Sequence, residues 1–394
     1  MSSALMSVYR PADVAFERGE GVCLYDTEGR RYLDFNAGIA VSALGHAHPH
    51  LVETLKEQGE KLWHTSNLYR IPHQERLAER FVEASFAERC FFTNSGVEAI
   101  ECAIKTARKY FHEKGEGRRH RLITLEGAFH GRSMAAISAA GQEKLVKGFA
   151  PLLPGFDHVP PGDLAAVERA IGPETAGILV EPIQGEGGVR PLSDDYLRGL
   201  RALCDTHGLL LLLDEIQCGM GRTGKLFAHE WAGVRPDIVA VAKGIGGGFP
   251  LGACLATEEA ASGMTPGSHG TTYGGNPLAA AIGNAVLDVI LAPGFLAAVT
   301  RVADYLESRL EDLAARHHNR VEAVRGRGLM RGMKLRGMEA REAVGAILKR
   351  GLLVAPAGDN VIRLLPPLVI EERHVDEAVD ILDAYFRSLG EEAS

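Results

Sequence analysis

The chain has 394 residues, which is more than one hydrophobic core usually organises, so we expect two domains. Its composition, 46% hydrophobic and 24% charged, is typical of a globular protein, and its net charge of −8 argues against nucleic acid as a partner. Six cysteines without paired spacing, no signal-peptide pattern and no apolar stretch near ~18 residues together predict a cytoplasmic protein that does not enter a membrane.

A β-hairpin is predicted close to the N-terminus. The segment GVCLYDTEGRRYLDF alternates apolar and polar positions on either side of a turn at residues 26–29. The histidine-rich segment GHAHPH follows, but its spacing fits no helical pair of ligands and Pro49 interrupts it, so we predict no metal site. The polar loop at residues 64–72 either lines a site or only connects two helices.

Strand and helix patterns alternate from about residue 73 to residue 280, which predicts a mainly parallel, doubly wound α/β sheet. The strand RCFFTNSG runs into Ser95 and Gly96, and an apolar helical pattern begins directly after it. Free N–H groups at such a helix start suit a phosphate, although Ser95 also fits an ordinary N-cap. Another strand ends at Glu181 and leads to Glu186 in a glycine-rich turn.

The run LLLLLDEIQ predicts a strand of five leucines that is buried on both faces and ends at Asp214. A carboxylate there is costly unless it is paired, and ligands of open α/β sheets bind beyond the carboxyl ends of strands. A second strand, residues 238–242, ends at Lys243 and a glycine-rich loop. A buried lysine with an aspartate for a pyridinium nitrogen is the minimum of a pyridoxal phosphate (PLP) site. From these residues alone, an ordinary salt bridge remains the alternative.

Residues 219–224 match the GxGxxG fingerprint of nicotinamide-dependent dehydrogenases. A true fingerprint follows its strand directly and has an acidic residue about 20 positions later. Here the preceding strand ends at Asp214, and Lys243 lies near the position where the acidic residue is required. We therefore predict that this chain is not a dehydrogenase.

The pattern changes after residue 280. The helical run AAAIGNAVLDVI leads to a helix at residues 295–317, the strand-like GLMRGMKL, and a segment at residues 360–364 between two further helices. We predict a large domain over residues 56–280. A smaller α+β domain would be built from both chain ends, residues 1–55 and 281–394.

Eight segments, in order and at matching spacing, carry a family resemblance along nearly the whole chain. The chain resembles the class III, fold-type I, PLP-dependent aminotransferases, and within them the bacterial acetylornithine aminotransferases. Val97 and Cys218 differ from the residues frequent at their positions, and neither difference bears on the chemistry. The segments are LDFNAGIAVSALGHAHP, NSGVEAIECAIKTAR, AFHGRS, EPIQGEGG, DEIQCGMGRTG, AKGIGGGFPLG, GTTYGGNPLA and VIRLLPPL.

The resemblance implies a PLP site. Lys243 would form the Schiff base with PLP and then act as the base of a 1,3-proton shift. Asp214 would keep the pyridine nitrogen protonated, so that the ring stays an electron sink. The other implied cofactor contacts are Gln217 near the ring's 3-oxygen, Phe129 on the ring face, Ser95, Gly96 and Val97 at the phosphate, and Thr272 at the phosphate from the second subunit of a homodimer.

The resemblance also implies how substrates bind. Arg132 would hold a substrate carboxylate with both guanidinium nitrogens, and Thr271 would lie nearby. Arg363 would bind the α-carboxylate of glutamate, and Glu186 would pair with Arg363 when that carboxylate is absent.

The implied reaction is reversible transfer of the terminal amino group of N2-acetylornithine to 2-oxoglutarate. Its products are N-acetylglutamate 5-semialdehyde and glutamate, its pathway is arginine biosynthesis, and N-succinyl-diaminopimelate would be a second substrate. The alternatives within the class are succinylornithine, ornithine and 4-aminobutyrate aminotransferases. Outside it, the alternative is a PLP-binding protein without catalysis, against which Lys243, Asp214 and both arginines argue.

Overall fold

The computed structural model of the chain describes residues 4–391, which contain seventeen strands and thirteen α-helices. The strands are β1 (Phe16–Glu20), β2 (Cys23–Asp26), β3 (Arg31–Asp34), β4 (Arg89–Thr93), β5 (Arg121–Leu125), β6 (Phe156–Val159), β7 (Thr175–Val180), β8 (Ile183–Gln184), β9 (Arg190–Pro191), β10 (Leu210–Asp214), β11 (Ile238–Val241), β12 (Gly252–Ala256), β13 (Val321–Arg327), β14 (Met330–Leu335), β15 (Leu352–Leu353), β16 (Ala355–Ala357) and β17 (Val361–Leu364). The helices are α1 (Ala37–Ala40), α2 (Pro49–Gly59), α3 (Pro72–Ala84), α4 (Gly96–Glu113), α5 (Met134–Ala140), α6 (Glu143–Val146), α7 (Leu164–Ala170), α8 (Asp194–His207), α9 (Glu258–Ala261), α10 (Pro277–Ile290), α11 (Phe295–Arg316), α12 (Ala340–Leu348) and α13 (Glu372–Glu391).

Seven strands form the large sheet, in the order β4-β12-β11-β10-β7-β5-β6. Strand β12 is antiparallel to both of its neighbours, and the other paired strands run parallel. This confirms the predicted α/β fold with a mainly parallel sheet. The carboxyl ends of the parallel strands therefore meet along one edge, where ligands of such sheets bind.

Strand β10 lies in the middle of this sheet and is covered on both faces. Leu211 and Leu213 belong to one hydrophobic core, whereas Leu210 and Leu212 pack in a second core together with α4. Alternate residues of a strand point to opposite faces, so only a continuous apolar run can serve both cores. The prediction made from the five leucines is confirmed.

The two chain ends meet in a separate four-stranded sheet. Strands β2 and β3 form the predicted hairpin, and β15 pairs with β3 in parallel, with Leu352 opposite Leu33. A second four-stranded sheet contains only C-terminal strands, in the order β13-β14-β17-β16. The predicted domain bounds stay a prediction, and the bound after residue 280 falls inside α10.

Helices α10 and α11 follow one another after a short break. Most residues of α10 are buried within the protein. Across residues 4–391, no single helix has the length and apolar character needed to cross a membrane, and one pair, α10 and α11, meets that criterion only when taken together across a bend of 70°.

Candidate active site

A cavity of about 330 Å³ lies at the carboxyl-terminal edge of the large sheet. The loops after β4, β5, β7, β10 and β11 all contribute to its wall. The structure thus brings together most of the cofactor-binding residues predicted from the sequence. Those that line the cavity are Ser95, Gly96, Val97, Phe129, Asp214, Gln217 and Lys243.

Asp214 ends β10 and is only 4% exposed. Its Oδ2 lies 2.8 Å from Nδ1 of His130, and its Oδ1 accepts a hydrogen bond from the Ile216 N–H at 3.1 Å. Burial by itself lowers the pKa of His130, but the hydrogen bond and the charge of Asp214 outweigh burial, so the pKa of His130 is raised. Nε2 of His130 is buried and has no hydrogen-bond partner in the described part of the chain.

Lys243 follows β11 and begins a short 3-10 turn, Lys243–Gly246. Its φ of 51° is in the left-handed region, which is uncommon for a residue with a side chain and is typical of functional sites. Burial and the charge of Arg363 lower the pKa of its amine, and nearby carboxylates oppose them, so the pKa is about 8. A lysine in this state has a substantial neutral fraction near neutral pH, so it is suited to attack an aldehyde.

Glu181 follows β7 and is a buried carboxyl in the cavity wall. Its Oε2 accepts from the Phe129 N–H at 2.9 Å, and its Oε1 accepts from the Gly185 N–H at 3.2 Å. Burial and the charge of Asp214 raise the pKa of Glu181, His130 and the two N–H donors lower it, and the balance is a pKa of about 7.

Arg363 is held by two acceptors. Its Nη1 lies 2.5 Å from Oε1 of Glu186 and 2.9 Å from Oε1 of Gln217. Arg363 is 1% exposed, whereas Glu186 keeps about a third of its side chain accessible. Gly185 makes this packing feasible, because a β-carbon there would lie 2.2 Å from the Gln217 oxygen. The pair of Glu186 and Arg363 implied by the family resemblance therefore forms in the structure.

The start of α4 faces the cavity. The Ser95 side chain is the N-cap and accepts from the Glu98 N–H at 3.4 Å. The N–H groups of Gly96 and Val97 have no acceptor within the helix, because first-turn donors never do. A β-carbon at Gly96 would lie 2.8 Å from Ile216, so only glycine fits there without displacement. This helix start offers both free donors and the positive end of a dipole to an anion.

Five predicted residues do not line the cavity. Glu186 and Arg363 are joined to its wall through Gln217, and the other three are Arg132, Thr271 and Thr272. Arg132 is exposed, with its guanidinium carbon 5.7 Å from the centre of the Phe129 ring. Thr271 accepts from the Gly274 N–H at 3.0 Å, and Thr272 is exposed. The Asn94 amide in the cavity wall also donates to Thr271 Oγ1 at 3.5 Å, so one chain by itself brings Thr271 to the edge of the cavity but leaves Thr272 on the surface.

Three polar residues of the cavity wall, Asn94, His130 and Glu181, received no role from the sequence. His130 lies inside the segment AFHGRS, next to Phe129, and its pairing with Asp214 needs a contact across 84 residues. Glu181 carried a usable indication, since it is a carboxylate at the end of a buried strand, as Asp214 is.

The chemistry of the cavity fits PLP. It supplies a buried carboxylate for a protonated ring nitrogen, an amine with a lowered pKa for the aldehyde, an aromatic face, and free N–H groups for the phosphate. Within residues 4–391, no group of three or more histidine, cysteine, aspartate or glutamate side chains is arranged to hold a metal ion.

Comparison with known proteins gives a consistent result over nearly the full chain. Residues 6–386 match the family model Aminotransferase class-III. The chain is 59% identical to an acetylornithine aminotransferase of Brucella melitensis, over 95% of this chain and 93% of that protein.

Two solved structures are similar in fold. The N-acetylornithine aminotransferase of Stenotrophomonas maltophilia superposes with a TM-score of 0.85 at 40% identity, covering 97% of this chain and 98% of the other. An ornithine aminotransferase of Toxoplasma gondii, whose active site shows partial occupancy of PLP, superposes with a TM-score of 0.94 at 31% identity, covering 99% and 93%. Every cavity residue lies inside the region matched by the family model.

Proposed function

The chain belongs to the class III aminotransferases, and we therefore propose that it transfers the terminal amino group of N2-acetylornithine to 2-oxoglutarate. The reaction is reversible, gives N-acetylglutamate 5-semialdehyde and glutamate, and serves arginine biosynthesis. The ion pair of Glu186 and Arg363 is the observation that carries this proposal. The free state of all six cysteines supports a cytoplasmic location, where thiols stay reduced.

PLP is the cofactor, and it supplies an electron sink for the pair of electrons that remains when a substrate C–H bond breaks. Asp214 would hold the ring nitrogen protonated, and His130 would keep the Asp214 carboxylate in place through its 2.8 Å hydrogen bond. The N–H groups of Gly96 and Val97 would bind the phosphate, and Phe129 would cover the ring. Gln217 would use its amide nitrogen near the 3-oxygen, because its oxygen already accepts from Arg363.

Lys243 would move the proton. Its amine would take the proton from the substrate carbon that bears the transferred nitrogen and return it two atoms away. The lowered pKa of about 8 suits this exchange, because both the neutral base and the protonated acid are populated near that pH.

The ion pair explains how one pocket accepts two kinds of donor. Glutamate places a carboxylate beside its reacting carbon, whereas acetylornithine has only a methylene group there. A bare Arg363 facing the methylene would be a buried charge without a partner, and Glu186 neutralises it. When glutamate binds, Glu186 would move aside and leave Arg363 to the α-carboxylate. Arg132, at the rim beside Phe129, would bind the α-carboxylate of acetylornithine and, in the other half-reaction, the distal carboxylate of 2-oxoglutarate.

The proposal includes a homodimer with shared active sites. Thr272 is exposed on its own chain, whereas Thr271 borders the cavity through Asn94. Both lie in a loop held by Asn67, whose amide donates to the carbonyl oxygens of Thr271 and Gly274. Large apolar side chains around this loop are exposed, which is typical of a surface that packs against another subunit. They are Leu62, Trp63, Leu68, Tyr69 and Tyr273.

Initial rates with four donors would test the proposed substrate. Acetylornithine, succinylornithine, ornithine and 4-aminobutyrate should be compared side by side, each with 2-oxoglutarate as acceptor. We expect the highest kcat/KM for acetylornithine. A higher kcat/KM for any of the other three would overturn the assignment of the donor, although the enzyme would still be an aminotransferase.

A further inference from the structure

The carboxyl group of Glu181 joins two backbone segments. Each segment contains residues that the proposed function assigns to substrate binding. Glu181 accepts the N–H of Phe129 at 2.9 Å and the N–H of Gly185 at 3.2 Å. Glu181 itself is only 6% exposed and directly follows β7, an interior strand of the large sheet. The carboxyl group is therefore a fixed point between the two segments.

The first segment, residues 127–132, contains Phe129 in the cavity wall and Arg132 at the rim. It also contains His130, which is hydrogen-bonded to Asp214. The second segment, residues 185–188, contains Glu186, the partner of Arg363.

The two segments also pack closely beside Glu181. A β-carbon on Gly187 would lie 2.8 Å from the carbonyl oxygen of Gly127, so only glycine permits this approach. The Gln184 amide donates to the Glu126 carbonyl oxygen at 3.0 Å. On its other side, the turn is held by a hydrogen bond of 2.9 Å from the Gly358 N–H to the Glu186 carbonyl oxygen. The position of Glu186 thus depends on a small set of hydrogen bonds. Two of them are the bonds that the Glu181 carboxyl accepts from Phe129 and Gly185.

We propose that Glu181 is a positioning residue that fastens the Phe129 segment to the Gly185–Glu186 turn and so sets how readily Glu186 leaves Arg363. This role rests on the proposed function, since it concerns the selection between donors that have a carboxylate beside the reacting carbon and donors that have none. With both hydrogen bonds formed, the turn is more rigid, and Glu186 leaves Arg363 only when a substrate carboxylate replaces it. With one lost, Glu186 moves more freely and the site favours glutamate.

The protonation state of Glu181 decides how many of these bonds form. A carboxylate accepts from both N–H groups, whereas a protonated carboxyl turns one oxygen into a donor that faces an N–H. Because the pKa of Glu181 is raised to about 7, the fastening is complete above that pH and weakens as the pH falls below it. In the described part of the chain, the titratable groups that face Glu181 are His130, Asp214, Lys243 and Cys218.

Hydrogen–deuterium exchange of the PLP-loaded enzyme tests the fastening without any turnover. Glu181→Gln keeps the shape but can accept only one of the two N–H groups, so exchange should become about tenfold faster in at least one segment. Glu181→Ala removes both acceptors and should accelerate both segments.

The matched control is Glu215→Gln. Glu215 is also a buried carboxylate and accepts from two backbone N–H groups, those of Ala228 and His229, but it does not line the cavity. This control should change exchange only around residues 228–229. Unchanged exchange at residues 129 and 185 in both Glu181 variants would overturn the proposal.

Single-turnover kinetics of the two half-reactions test the effect on selection. In Glu181→Gln, the acetylornithine half-reaction should slow about tenfold while the glutamate half-reaction stays within about twofold. In the wild-type enzyme, the acetylornithine rate divided by the glutamate rate should decrease when the pH is lowered below about 7. This decrease should be absent in Glu181→Gln but present in Glu215→Gln.

Equal slowing of both half-reactions, with the wild-type pH profile retained, would overturn the proposal. The proposed function is tested separately. It fails if the wild-type enzyme does not react with acetylornithine, whereas the exchange experiment uses no amino donor and tests only the role of Glu181.

Discussion

His130 and Asp214 form a buried pair at the end of β10, with Nδ1 of the imidazole 2.8 Å from Oδ2 of the carboxylate. The pair lies beneath the proposed cofactor site, and it is the contact that orients the carboxylate meant for the ring nitrogen. Its charge state links the stability of the protein to pH, because the pKa of His130 is raised in the folded protein.

The pair should therefore make a pH-dependent contribution to folding. A folded-state pKa above the unfolded value means that the stabilisation is complete below the unfolded pKa of about 6.5 and is lost as pH rises through the folded pKa. His130→Gln should remove this contribution. Urea unfolding of the apoenzyme should show the gap between wild type and variant shrinking with rising pH. A constant gap would contradict the prediction.

Lys243→Ala should give folded protein without sustained turnover, because among the described residues 4–391 the cavity wall contains no other lysine. The wild-type enzyme should be yellow, and borohydride should fix the cofactor covalently. Binding of PLP to the apoenzyme should speed up as pH rises through about 8, since the neutral amine is the nucleophile. A variant that retains a tenth of wild-type activity would show that Lys243 is not the base.

Asp214→Asn should fold and keep the shape of the site, but it should lose most of the rate. The amide cannot hold the ring nitrogen protonated, and removing such a charge typically costs about 10²–10³ in kcat. Steady-state kinetics at saturating PLP separate this effect from weaker cofactor binding. A near-normal kcat would exclude the role of Asp214.

Mixing two inactive variants tests whether the site is shared between subunits. Hybrids of Lys243→Ala and Thr272→Ala protomers should contain one restored site and one doubly damaged site, because each site would draw Thr272 from the partner. Activity should therefore exceed that of either parent. Light scattering should show no active monomer. If mass spectrometry confirms subunit exchange and activity still does not rise, Thr272 acts within its own chain or not at all.

Glu186→Ala should release Arg363 permanently. The glutamate half-reaction should hold or improve, while the acetylornithine half-reaction slows by up to ~10²-fold if the lost pairing is worth ~2–3 kcal/mol. Rapid mixing of the PLP form with each donor measures the two rates separately. Equal slowing of both would mean that Glu186 supports the site in general and is not a switch between substrates.

Residue patterns along the chain were sufficient for the strands that end at Asp214 and before Lys243, and for the kinds of side chain at those ends. The five leucines of LLLLLDEIQ required a strand buried on both faces, and Asp214 and Lys243 followed from the rule that ligands bind where parallel strands end. The pairing of Glu186 with Arg363, 177 residues apart, came from family resemblance, and the structure contains this contact.

Contacts between residues far apart in the sequence leave no pattern in any one segment, and only the tertiary structure determines them. His130 finds Asp214 across 84 residues, and Glu181 finds the Phe129 N–H across 52, because the order of strands in the sheet brings their loops together. The raised pKa of Glu181 and the lowered pKa of Lys243 arise from burial, which no single segment specifies. The same packing leaves Arg132 at the rim and Thr272 on the surface, since one chain supplies only part of the wall of the proposed site.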